Sequence, residues 1–287
     1  VQELQIELTA TTNKAAENLS QITGMNVGTI HSFLSLRVMT DYRTNVTTLT
    51  TRTQTPKEGY LLFVDEASYI DKSLMRWIFQ LTRNCKIVFV GDPAQLTPVK
   101  SSGTPVFELN YKGAELTQVV RQAEGNPIVD LSTKFRNTVN TGEFFSFKPD
   151  GQHIQYMSRD DYNAAIEAEF TRPDWKFRDS KILAWTNNVV IAYNKYVCER
   201  ISGDPEFQVG DYAVVNEFCM TGKGPSLKTD QMVQITKIGP DEIRYDVPGN
   251  WITMDNIYTA FHPKSLKEKN DRIKEARANN EISVVAQ

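Results

Sequence analysis

Residues 4–10 (LQIELTA) alternate apolar and polar positions and then break into TTNKAAENLSQI, where Ala15, Ala16, Leu19 and Ile22 recur at helical spacing. The Thr-Thr-Asn start suits a helix N-cap, because a short side-chain oxygen accepts an otherwise orphaned backbone N–H. This stretch predicts strand, loop, helix. The runs 60–64 (YLLFV) and 87–90 (IVFV) are short, continuous and rich in β-branched or aromatic residues, the pattern of strands buried on both faces of a parallel sheet. Between them, DKSLMRWIFQLTR puts Leu74, Trp77, Ile78 and Leu81 on one helical face. Strand, helix and strand in about thirty residues make a βαβ unit. A further buried strand is expected at 181–186 (KILAWT), leading into a helix with Val189, Ala192, Tyr193 and Tyr196 in register, either in the same architecture or in a second α/β domain.

Two segments depart from this alternation. Residues 37–57 are Thr-rich, polar and β-prone, with Arg37, Arg43, Arg52 and Lys57 against Asp41 alone, and predict an exposed basic hairpin inserted in the first domain. Residues 207–259 carry the short strand signals DYAVVNE, QMVQITKI, EIRYDV and WITMD, separated by the turn-like GKGPS, GPDE and PGN, and predict a small antiparallel barrel. From 264 to 278, KSLKEKNDRIKEARA reads as a charged helix with a solvated face.

A length of 287 residues favours about two domains over one core. With 40% hydrophobic residues the chain can bury a real core. No stretch reaches the roughly 18 consecutive apolar residues of a membrane span, and the N-terminus lacks a signal-peptide pattern, so a soluble cytosolic protein is expected. Cys85, Cys198 and Cys219 are odd in number and far apart, which fits neither a disulfide framework nor a metal pair. A net charge of −3 excludes a global basic field, so any polyanion site must be local. The chain opens on Val1 directly before a strand, the start expected of a piece of a longer protein.

The sharpest chemical signal is LLFVDEAS at 61–68, an apolar strand ending in adjacent carboxylates at the sheet edge where α/β proteins bind ligands. Asp65 followed by Glu66 is the arrangement of phosphoryl-transfer ATPases, one carboxylate reaching Mg²⁺ and the next polarising the attacking water. Acidic pairs also cap helices, and a helix is expected to follow. The second signal is IVFVGDPAQLTPV at 87–99. Gly91 permits close backbone approach, Asp92-Pro93 makes a turn, and the Gln95 amide can both donate and accept, suiting it to a γ-phosphate or its nucleophilic water. If the two strands are neighbours, Asp65, Glu66 and Gln95 converge on one crevice.

VDEAS, followed by GDPAQLTPV and preceded by TATTNKAA and TIHSFL, resembles the superfamily 1B DNA helicases, in particular their RecD-like and Dda-like group. ELTQVVRQ (115–122), NPIVDLSTKFRN (126–137) and LAWTNNVVIAYN (183–194) resemble the later blocks in order, so the likeness runs from residue 4 to about 260. It implies a P-loop NTPase (RecA-like) α/β fold: a parallel-sheet motor domain at 1–120 with an inserted hairpin at about 37–57, part of a second RecA-like domain at 121–203, an SH3-like β-barrel insertion at 204–262, and a charged helix at 263–287. ATP and Mg²⁺ are the implied cofactors. Asp65 would hold the metal, Glu66 act as general base, Gly91, Asp92 and Gln95 line the nucleotide, and Arg121 reach the γ-phosphate from the second motor domain. Single-stranded or forked DNA is the implied partner, met by Thr12, Asn13, Lys14, Thr29 and His31 in the first domain and by Thr186 and Asn187 in the second. Short polar side chains at helix N-termini suit that task, since they address phosphates without reading sequence. Replication or recombination proteins are further implied partners. The hairpin falls where the family carries a strand-separating pin.

Three features depart from the family. The GxxxxGK[ST] phosphate loop is expected upstream of residue 4 and the last C-terminal motor blocks beyond the charged helix, so the fragment alone is expected to bind ATP poorly. Position 11 is Thr where the family commonly has Pro. The leading expectation is an ATP-dependent DNA helicase moving 5′ to 3′. The alternatives are a non-catalytic nucleic-acid-binding module on a degenerate motor core, and an ATPase acting on protein.

Overall fold

The computed structural model describes residues 3–41, 46–51, 53–95, 104–117, 125–216, 219, 221, 225–279 and 281. The chain divides into two compact units, Val1–Gln155 and Tyr156–Gln287.

In the first unit, β1 (Gln5–Ala10) leads into α1 (Asn13–Thr23), β2 (Gly28–Thr29) and the short α2 (Ile30–Phe33). A hairpin of β3 (Leu36–Asp41) and β4 (Val46–Thr51) follows, then β5 (Lys57–Glu58), β6 (Tyr60–Asp65) and α3 (Lys72–Gln80). Next come β7 (Thr82–Arg83), β8 (Lys86–Phe89), α4 (Pro105–Glu108) and α5 (Pro127–Thr141). The main sheet runs β2-β1-β6-β8, every pairing parallel. Its core holds Leu62 and Val64 from β6 with Ile30, Ile70, Leu74 and Ile78, and Leu81 joins it from the end of the α3 stripe. The expected βαβ unit is therefore present, and the helical face read from the sequence is the one that packs. The expectation of burial on both faces holds less well for β8, where Val88 is 38% and Val90 45% exposed. β8 is the edge strand among the described residues, and only its Ile87 and Phe89 face packs on the core.

The basic hairpin forms as expected, with six antiparallel pairs from Leu36↔Thr51 to Asp41↔Val46. Arg43 and Arg52 lie outside the described residues.

The second unit contains α6 (Arg159–Phe170), α7 (Asn187–Ser202), β9 (Tyr212–Val214), β10 (Met232–Arg244), β11 (Val247–Met254), β12 (Tyr258–Pro263) and α8 (Leu266–Ala278). Residues 181–186 are not a strand: Leu183 and Trp185 stand 91% and 95% exposed. A buried strand needs hydrogen-bonding neighbours, and among the described residues none pairs with 181–186; the strands of this unit form a separate antiparallel sheet of order β12-β11-β10-β9. That sheet is open among the described residues, half of the expected barrel. Its turns also differ from the expectation. GPDE lies inside β10, where the register shift between Ile238 and Asp241 absorbs the Gly239-Pro240 pair, and PGN lies inside β11. The chain instead reverses at Tyr245 and Asp246, both left-handed (φ 50° and 65°). Gly249 is required by proximity: a Cβ there would sit 2.4 Å from the His262 carbonyl oxygen.

The charged helix α8 forms with the solvated face expected and packs on one side only. Ala276 is fully buried, and Arg272 donates to the Tyr245 carbonyl (3.2 Å), Asp246 (3.3 Å) and Glu281 (2.7 Å).

Candidate functional site

Parallel pairing brings the C-terminal ends of four strands to one edge. Ala10 is flanked by Thr29 on one side and Asp65 on the other, and Val64 pairs with Phe89. Beyond the strands the ladder continues: Val90 N–H donates to the Val64 carbonyl and Ala67 N–H to the Val90 carbonyl, both at 2.9 Å. Gly91 then passes so close that an added Cβ would lie 3.0 Å from the Ala67 nitrogen and 3.1 Å from that of Ser68. The carboxylate corner and the Gly-Asp-Pro-Ala-Gln turn are thus adjacent backbone segments, and the required glycine is the one singled out in the sequence.

Asp65 closes β6 and its Oδ1 accepts the Glu66 N–H at 2.9 Å. Glu66 is left-handed (φ 53°, ψ 43°), a conformation of modest cost for a non-glycine residue. Thr11 holds this corner: its N–H donates to the Asp65 carbonyl (3.2 Å) and its hydroxyl to the Glu66 carbonyl (3.0 Å). The departure from Pro at this position therefore adds two donors, both of which proline lacks. Thr11→Val should retain the backbone bond, lose the hydroxyl bond and destabilise the unit by about 1 kcal/mol, read as a lowered denaturation midpoint.

On the second loop, Asp92 is fully engaged. Its Oδ1 accepts from Arg136 Nη1 (2.7 Å) and Ala94 N–H (3.0 Å), and its Oδ2 accepts from Arg136 Nη2 and from Gln95 Nε2 (3.2 Å). The Arg136 hydrogen bonds, aided by those of Ala94 and Gln95, hold the Asp92 pKa at about 2 against the ordinary 3.8. A depressed carboxylate contributes stability above its unfolded pKa and loses it as pH falls toward the folded value, so this clamp should release between about pH 4 and pH 2. An NMR titration of Asp92 should show that low midpoint, and Arg136→Ala should move it back up. Arg136 was not singled out in the sequence, since no motif marks a partner so distant along the chain. Arg121 lies outside the described residues.

The nucleic-acid candidates all sit at helix starts. Thr12 caps α1 by accepting the Ala15 N–H (3.2 Å), Thr29 caps α2 by accepting that of Ser32 (3.1 Å), and Thr186 caps α7 by accepting that of Val189 (3.4 Å). Asn13 and Asn187 are the first helical residues after two of these caps. Each hydroxyl accepts from its helix, and a hydroxyl can donate as well as accept. Lys14 is exposed and paired with Glu17 at 2.8 Å. His31 is half-buried, and burial pushes its imidazole pKa down against the pull of Asp71. Thr12 and Thr29 share the sheet edge of the first unit, whereas Thr186 and Asn187 belong to the second.

Among the described residues no cluster of three or more His, Cys, Asp or Glu could cage a metal. A lone carboxylate such as Asp65 suits Mg²⁺ that arrives on nucleotide phosphates and keeps several waters. In that sense the residues present fit the ion.

A parallel sheet with an acidic pair and a glycine-hinged polar turn at its C-terminal edge is the architecture of a RecA-like α/β nucleotide-handling domain. Residues 1–158 match the AAA domain family. The chain belongs to that family, on its superfamily 1B branch with the RecD-like and Dda-like helicases. It is 28% identical over 225 residues to the ATP-dependent DNA helicase dda of Enterobacteria phage T4, covering 74% of this chain and 49% of that protein. It is 34% identical over 132 residues to the ATP-dependent RecD2 DNA helicase of Deinococcus radiodurans, covering 45% of this chain and 17% of that protein. With the RecBCD enzyme subunit RecD of Buchnera aphidicola it shares 27% identity over 154 residues, 47% of this chain and 25% of the relative. The chain thus spans about half the length of the phage protein and less of the other two.

Proposed function

We propose that the complete protein is an ATP-dependent DNA helicase that moves 5′ to 3′ on single-stranded DNA and separates duplex strands. The observation that carries this reading is the shared strand edge, where the Asp65-Glu66 corner and the Gln95 turn are stitched by the Val64–Val90–Ala67 ladder. In this reading Asp65 holds Mg²⁺, which when bound neutralises charge on the phosphates. The Glu66 carboxylate takes a proton from the water that attacks the γ-phosphorus, and ADP leaves with the bridging oxygen. The Gln95 amide orients that water, with Gly91 and Asp92 shaping its turn. Arg121 supplies a cation from the second motor domain, so that closure and hydrolysis are coupled. These 287 residues contain no GxxxxGK[ST] pattern and by themselves are not expected to turn over ATP.

Thr12, Asn13, Lys14, Thr29, His31, Thr186 and Asn187 contact the DNA backbone, the β3–β4 hairpin serves as the strand-separating pin, and β9–β12 form the SH3-like insertion. The division into 1–120, 121–203 and 204–262 belongs to the same proposal, as does a bacterial or phage-infected host cytoplasm in which replication or recombination proteins are met. Among the described residues no helix is long and apolar enough to cross a membrane.

The test is ATP hydrolysis and unwinding by the complete protein on forked duplexes with a 5′ or a 3′ single-stranded tail. DNA-stimulated hydrolysis and unwinding confined to the 5′-tailed fork are expected. DNA binding without hydrolysis would instead establish the non-catalytic docking module. Affinity for single strands should be indifferent to sequence and fall with salt at a log–log slope of about −0.7 per phosphate neutralised, as checked by fluorescence anisotropy across a salt series.

A further inference from the structure

We infer that Arg136 is a positioning residue for Gln95, acting through both carboxylate oxygens of Asp92. The inference rests on the reading of Gln95 as the amide that orients the attacking water. Asp92 collects four hydrogen bonds, two from the Arg136 fork, one from the Ala94 N–H and one from Gln95 Nε2. The turn is closed by the Gln95 N–H on the Asp92 carbonyl at 3.2 Å. With one amide hydrogen of Gln95 committed to Asp92, the amide nitrogen is anchored to the turn. Its oxygen and its second hydrogen are then available to a water and a phosphate oxygen. A carboxylate held by a planar fork cannot swing about its own Cβ–Cγ bond, whereas one facing a lysine point charge can.

A bidentate pair of this kind also stabilises the fold, so the kinetic readouts below separate positioning from stabilisation. The Arg136 side chain is 48% exposed and that of Asp92 20%, and the two bonds of the fork select one geometry for the pair. The pair thus adds geometry as well. Arg136 stands on α5, which begins at Pro127, shortly after the Arg121 segment. The Ala94 side of the turn meets the same helix across an open hollow lined by Val129, Ser132, Thr133 and Phe135. The pair therefore ties the helix after Arg121 to the Gln95 turn, and a displacement of one is felt by the other.

The test is steady-state ATP hydrolysis on saturating single-stranded DNA by the complete protein and its variants Gln95→Ala, Arg136→Ala, Arg136→Lys and the Gln95→Ala/Arg136→Ala double. Arg136→Ala should lower kcat about tenfold with KM for ATP within about twofold, as loss of orientation does. The double variant should be no slower than Gln95→Ala alone, because both changes disable one amide. Arg136→Lys should recover part of the loss. If Arg136→Ala lowers the thermal midpoint, Arg136→Lys, alone and combined with Gln95→Ala, decides the matter: reduced kcat that is not additive with Gln95→Ala supports the role, and wild-type kcat overturns it. Wild-type kcat in Arg136→Ala, or losses that multiply in the double variant, also overturn it while the Gln95 reading stands. Wild-type turnover in Gln95→Ala would remove that underlying reading instead.

Discussion

Glu66→Gln in the complete protein is expected to lower kcat for DNA-stimulated ATP hydrolysis by about 10³-fold, within the range that a positioned general base contributes. The change is isosteric and keeps the two backbone hydrogen bonds of this corner. Asp65 Oδ1 still accepts the residue-66 N–H, and Thr11 still donates to the residue-66 carbonyl, because both bonds are to backbone. ATP affinity, measured by equilibrium binding of a fluorescent nucleotide, should stay within about twofold, so the variant accumulates unhydrolysed ATP. A loss of turnover below about threefold would transfer the base role to another group.

Gly249→Ala should produce the largest loss of stability in the second unit. The added methyl would fall 2.4 Å from the His262 carbonyl oxygen and 2.5 Å from the Phe261 ring. The ring can rotate, but the carbonyl belongs to β12 and is fixed by the Gly249↔Pro263 and Asn250↔His262 pairs. Relief requires that β11 and β12 part locally, at a cost of about 3 kcal/mol. Hydrogen exchange of the β11 and β12 amides should report the opening, with the first unit unchanged. Gly24, by comparison, has a left-handed φ of 69° but nothing within 4 Å of its would-be Cβ, so Gly24→Ala should cost only about 1 kcal/mol.

These two glycines explain much of what the chain does and does not disclose in one dimension. A glycine written into a Pro-Gly-Asn run looks like a turn, yet Gly249 answers to a neighbouring strand that sequence order does not reveal. The true reversal, at Tyr245-Asp246, carries no glycine or proline and so gave no signal. The βαβ unit of the first domain was legible because apolar spacing alone sets which face of α3 packs, as Leu74 and Ile78 confirm. At the candidate site, Asp65, Glu66 and Gly91 could be placed because each sits at or just beyond a strand end, and Gln95 because it lies in the turn that follows. Arg136 could not, since its partner lies 44 residues away and its helix buries no residue to mark it. The failed strand at 181–186 belongs to the same class: its apolar residues fit a sheet, but pairing depends on neighbours that composition does not supply.

Thr11 and Thr12 are consecutive, and they face two different chemistries. Thr11 grips the carbonyls of the acidic pair while Thr12 begins the helix whose start is proposed to meet the polynucleotide. Tension applied to that helix start would pass along one stiff peptide unit to Thr11 and through its two hydrogen bonds to the backbone that carries Asp65 and Glu66. Loading of the track and the setting of the acidic corner would then share a mechanical joint inside one lobe, ahead of the closure proposed to bring Arg121.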